Sequence, residues 1–145
     1  MRRITLIVVH CTATRSDAKV TDILEGFKRK GWKRPGYHYI VAADGNVTQA
    51  VDDALTANGV KNHNAHSVHV AYVGGIDTTG RGSDTRTEAQ RVVMRALIER
   101  LKARYAGAIV VGHRDLSPDL NHDGRVTRTE WVKQCPCYDA VKEYN

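Results

Sequence analysis

The stretch Ile4-Thr5-Leu6-Ile7-Val8-Val9-His10 decides the fold class. It is rich in β-branched residues and lacks the polar alternation of a half-exposed strand. It therefore reads as a strand buried on both faces, inside a sheet that helices cover. Side chains alternate along a strand, so Leu6, Val8 and His10 share one face. Downstream, Thr21 is the expected N-cap of a helix that carries Ile23, Leu24 and Phe27 and ends near Gly31. Tyr37–Val41 and Val47–Ala50 flank Asp44-Gly45, a strong hairpin signal. A polar loop, Asn58–Ser67, leads to an expected strand from Val68 to Val73, closed by Gly74-Gly75. Beyond a Gly- and Thr-rich loop, Thr87 and Gln90 form a capping-box pattern for a helix reaching about Tyr105. Its apolar stripe is Ala89, Val93, Leu97, Leu101 and Tyr105. Ile109-Val110-Val111 is a short buried strand that runs into Gly112-His113. The prediction is one α/β domain over residues 1–145, a central mixed β-sheet flanked by helices.

Composition narrows the partners. The 145 residues include 22 Lys+Arg against 16 Asp+Glu, a formal charge of +6, with 41% hydrophobic residues. That balance excludes a disordered tail and favours an acidic partner: nucleic acid, an anionic membrane face or an anionic cell-wall polymer. The early apolar run is far too short to span a membrane, which needs about 20 residues, and no small-residue cleavage site follows it. Membrane insertion and a recognisable signal peptide are therefore not expected. No helix-turn-helix, zinc-finger spacing or aromatic sheet motif supports nucleic-acid binding. The three cysteines, Cys11, Cys135 and Cys137, are an odd number, so free or metal-bound thiols are the default.

Two histidines occupy the same kind of place, because His10 and His113 each end a buried strand. If those strands are parallel neighbours, both imidazoles emerge at the carboxyl-end crevice where open α/β sheets place chemistry. Cys135 lies in Lys133-Gln134-Cys135-Pro136-Cys137. Two imidazoles and a thiolate suit Zn²⁺ and leave a fourth position for water. From spacing alone the alternative stays open that these are hydrogen-bonded strand ends and a buried thiol.

Five motifs in order carry a family resemblance: Val9-His10-Cys11-Thr12-Ala13-Thr14, Gly36-Tyr37-His38-Tyr39-Ile40, Val73-Gly74-Gly75-Ile76-Asp77, Gly112-His113-Arg114-Asp115 and Lys133-Gln134-Cys135-Pro136. The chain resembles the type 2 N-acetylmuramoyl-L-alanine amidases, which include small phage lysozymes and endolysins and share a fold with peptidoglycan recognition proteins. The resemblance implies that His10, His113 and Cys135 bind zinc and that Tyr37 and Lys133 are catalytic. It implies hydrolysis of the amide between N-acetylmuramic acid and L-alanine in peptidoglycan. It also implies a monomer, made in the cytoplasm, that acts on the wall after release or export. A non-catalytic wall-binding module is the rival reading. Arg114 is a candidate substrate contact, whereas most of the basic groups around Arg81 and Arg86 are expected to be solvated.

Two departures stand out. Many relatives carry a groove histidine where this chain reads Ala57-Asn58-Gly59-Val60-Lys61-Asn62, so His63 and His66 are candidates for its role. Next, His113 and Cys135 are 22 positions apart, a longer connection than phage-type relatives have. Residues 119–130 within it match the calcium-loop pattern, with Asp119, Asn121, Asp123, the Arg125 carbonyl and Glu130 as ligands and Gly124 at the turn. Thr129–Gln134 is the expected start of an exiting helix. Cys11 is expected to face away from His10, and His38 to serve the framework.

Overall fold

The computed structural model describes residues 2–145. The opening stretch forms β1 (Leu6–Cys11), which pairs in parallel with β4 (Ser67–Tyr72) on one side and β5 (Ile109–Gly112) on the other. β2 (Tyr39–Val41) runs parallel to β4, and β3 (Val47–Gln49) joins β2 antiparallel at the edge. The order is β3-β2-β4-β1-β5, a mixed five-stranded sheet. The hairpin closes at the expected Asp44-Gly45, where Gly45 takes φ +89° and its N–H donates to the Ala42 carbonyl at 2.9 Å.

The first helix, α1 (Val20–Arg29), starts earlier than Thr21 predicts. An N-cap needs extended backbone, and Lys19 supplies it with φ −87° and ψ 140°, while Thr21 is already helical. The second, α2 (Glu88–Arg104), opens as expected: the Gln90 N–H donates to Thr87 Oγ1 at 3.1 Å, and the Thr87 N–H donates to Gln90 Oε1 at 2.9 Å. Its buried face is Gln90, Met94, Leu97, Ile98 and Leu101. That face is rotated from the expected stripe, and Ala89, Val93 and Tyr105 are half-buried. Gln90 turns inward because its amide donates to the carbonyls of Val41 at 3.1 Å and Val73 at 3.0 Å, which pairs its polar atoms.

Alternation divides the molecule. Ile7, Val9 and Cys11 join Val68, Val70, Tyr72 and Val110 in a core with α2 and a third helix, α3 (Ala140–Tyr144). Each such aliphatic residue contributes roughly 1.5–3 kcal/mol by leaving water. The other face holds a smaller cluster, Val8, Val60 and Val111. Helix α3, whose anchor is Arg86, was not expected from local pattern. The side chain of Arg86 is 1% exposed and pairs with Glu143 at 2.6 Å and Asp84 at 2.9 Å, above the Tyr138 ring at 3.3 Å. Arg86 is thus a structural tie, not a solvated surface charge. Among the described residues, no helix is long and apolar enough to cross a membrane.

Candidate metal centre and groove

Strand register builds the site. Val9 stands opposite Gly112 on β1 and β5, so the next residues, His10 and His113, leave adjacent parallel strands at the same level. Their ring centroids are 5.0 Å apart. The chain returns to them by two backbone bonds. The Arg114 N–H donates to the Cys135 carbonyl at 2.8 Å, and the Cys11 N–H donates to Cys135 Sγ at 3.1 Å. A Cβ at Gly112 would lie 2.7 Å from Pro136 Cδ, so this close return needs glycine. Cys11 itself faces the α2 side, as alternation predicts.

His10, His113 and Cys135 each offer a ligand atom, and these atoms lie within 4.8 Å of one another. Zn²⁺ bonds of about 2.0–2.3 Å need the donors somewhat closer than that limit, and the donor set is the one zinc favours. The residues fit the ion. Burial, then the neighbouring His69, His113 and Lys133, holds the His10 pKa well below the ordinary histidine value. Burial, followed by Lys133, lowers that of His113 to about 4. Both imidazoles are therefore neutral near pH 7, the state in which they can ligate.

The trio floors a groove made of two adjoining clefts of about 420 and 1030 Å³. Trp32, Asn58, Gly59, His113 and Lys133 line both. Tyr37 lies in the narrower one, its ring 5.0 Å from that of His10, and its hydroxyl donates to the Cys11 carbonyl at 3.3 Å. Burial, then Cys135 and Cys11, pushes its pKa up, so Tyr37 remains a protonated donor. Exposed Lys133 stands at the groove.

Other predicted residues scatter. His63 lines the wider cleft, whereas His66 lines neither and packs against His63 with ring centroids 6.2 Å apart. Arg114 borders a separate pocket of about 200 Å³ and lies over Trp131, 3.9 Å from the ring centroid. In the long connection, one oxygen from each of Asp119, Asp123 and Glu130 comes within 4.8 Å of the others. Gly124 takes φ +83° at the turn, and its N–H donates to Asp119 Oδ2 at 2.8 Å. No exiting helix follows: this segment has one 3-10 turn, Arg128–Glu130, and Trp131 returns to extended backbone. Glu130 explains the stop, because its carboxylate accepts from the N–H groups of Leu120 and Thr127, folding the loop on itself.

Sequence reasoning missed His69. It is fully buried on β4, and one ring nitrogen lies 2.9 Å from His10 Nε2. The available signal was a histidine within the apolar strand Val68–Val73, where a buried polar ring requires partners.

Comparison with known proteins identifies the lineage. Residues 1–136 match the family model for N-acetylmuramoyl-L-alanine amidase. The chain belongs to this family. The amidase is 36% identical over 138 residues to the endolysin of Klebsiella phage KP32, covering 94% of this chain and 82% of that one. It superimposes with a TM-score of 0.71 at 25% identity on the endolysin of Thermus scotoductus bacteriophage Ph2119, covering 94% of this chain and 79% of that one. A Drosophila peptidoglycan recognition protein shares the fold, with a TM-score of 0.71 at 14% identity and coverage of 98% and 79%. The chain is thus an N-acetylmuramoyl-L-alanine amidase family enzyme, with endolysins among its relatives and the fold of the recognition proteins.

Proposed function

We propose that the amidase cleaves the amide between N-acetylmuramic acid and L-alanine in a zinc-dependent reaction, with His10, His113 and Cys135 as ligands. The observation that carries this reading is the meeting of these three donors on the floor of a groove that Tyr37 and Lys133 also line. Zinc bound there supplies a water acidified to a pKa of about 7 and polarises a carbonyl. The protein's own groups do the rest. Lys133 brings positive charge to the groove, where an amide carbonyl oxygen gains negative charge in the transition state. Tyr37 keeps its proton, and turning its hydroxyl from the long 3.3 Å bond to the Cys11 carbonyl would offer it to the same region. His63 and Trp32 are the proposed walls for the bound glycopeptide. The net charge of +6 matches an anionic wall polymer, reached after release or export.

A second cation is proposed for residues 119–130, where the calcium-loop pattern and the convergence of Asp119, Asp123 and Glu130 coincide. Asp119 Oδ1 is buried without a hydrogen-bond partner among the described residues, so it has a lone pair free for a cation. Asn121 and the Arg125 carbonyl would complete the set. Its role would be to brace the connection that delivers Lys133 and Cys135.

The test is a muropeptide digest with purified protein, with and without zinc chelation. Release of free stem peptides that stops on chelation is expected. Tight wall binding without cleavage would establish the wall-binding module instead.

A further inference from the structure

Behind the metal trio lies a chain of hydrogen bonds that the cleavage reaction does not itself use. It runs from His10 through His69 to Asn64. His10 and His69 are 1% and 0% exposed, so no solvent comes between their rings. Each link has a direction that the next one fixes.

The chain is anchored at a group that can only donate. The backbone N–H of Val60 donates to Asn64 Oδ1 at 2.8 Å, which identifies that atom as the amide oxygen. His69 Nε2 lies 2.9 Å from the same oxygen, so it must carry the proton and donate. The His69 ring is fully buried and its only hydrogen-bond partners among the described residues are uncharged, so the charged form is disfavoured and its Nδ1 holds a lone pair. His10 Nε2, 2.9 Å from that Nδ1, is then the donor. The proton of His10 therefore sits on Nε2, and His10 Nδ1 keeps the lone pair for a metal. His38 obeys the same logic from the other side. The His69 backbone N–H donates to His38 Nδ1 at 3.0 Å, and His38 Nε2 donates to the Leu55 carbonyl at 2.8 Å.

We propose that His69, oriented by Asn64, is a positioning residue that fixes the tautomer and ring angle of His10 so that Nδ1 faces the metal. A ligating histidine normally gives its second ring N–H to a carboxylate, a carbonyl or water, and such partners shape affinity by roughly 10–100-fold. Here the partner is a second neutral imidazole, held dry beneath the site. Its position depends on Gly59, because a Cβ there would fall onto the His69 ring. The proposal rests on the zinc reading of His10, His113 and Cys135.

The test uses the full chain with ¹⁵N-labelled histidine. In the metal-free wild type, long-range ¹H–¹⁵N correlation should show His10 and His69 as neutral Nε2–H tautomers. A proton on His10 Nδ1 would overturn the proposal whether or not zinc binds. Zinc affinity is then measured by competition with a chelator. His69→Leu should weaken it by about 10–100-fold, whereas His69→Asn, which keeps an acceptor near the Nδ1 position, should remain within a few-fold of wild type. Equal affinity in His69→Leu, or equal loss in both variants, would also overturn it. A wild type that binds no zinc but shows the stated tautomers would instead overturn the zinc reading.

Discussion

Gly59 lies against the imidazole of His69 with no space for a side chain between them. Its bare Cα lets a loop from the groove wall close over a buried ring that touches His10. Gly59→Ala should therefore push the ring off His10 and cost roughly 1–3 kcal/mol, as overpacking does. Urea unfolding measures the cost, and chelator competition should show weaker zinc binding. An unchanged variant would mean that the loop yields freely.

Cys135→Ser should abolish both bound zinc and turnover, since a hydroxyl is a poor substitute for thiolate at such a site. Metal analysis and the muropeptide digest read the two effects. Retained full activity would sink the ligand assignment.

Lys133→Met and Tyr37→Phe leave the three donors in place. Each should retain zinc stoichiometry and lower the rate, with losses of about 10²–10³-fold where a transition-state donor is removed. A variant with unchanged kcat has no part in the chemistry.

The metal-free protein should lose stability as pH falls below about 6.5. Unfolded histidines take up protons there, while folded His113 waits until about 4 and folded His69 until about 3, both chiefly because burial penalises the charged ring. The unfolded state thus binds more protons in this window. Each such histidine contributes a slope of about 1.4 kcal/mol per pH unit, an effect absent above the window. Urea titrations from pH 7.5 to 4 check it; flat stability between pH 6.5 and 5 would contradict it.

Calcium added to zinc-loaded protein should raise the melting temperature, and Asp123→Ala should remove the rise. Calorimetry that shows neither heat of binding nor a shift would eliminate the second cation.

Local chemistry made much of this legible. β-Branched runs marked β1 and β5, Asp44-Gly45 marked the hairpin, and Thr87 with Gln90 marked the start of α2. The strand-end positions of His10 and His113 marked the candidate site, where the structure brings them together with Cys135. Less local features were silent. Gln90 joined the buried face because two carbonyls from distant segments needed donors. Arg86 was buried because Asp84, Glu143 and Tyr138 enclosed it. Arg114 neighbours His113 in sequence but borders another pocket, and His66 packs behind His63 without lining either cleft.

The sequence alone determined the family, the strand carrying His10 and the residue types able to hold a metal, because those follow from short-range pattern and ordered motifs. Only the tertiary structure sets the partners of the His10 ring, and with them the nitrogen we propose to face a metal. A tautomer is set by hydrogen bonds to partners 59 residues away on a neighbouring strand, and no local spacing encodes them.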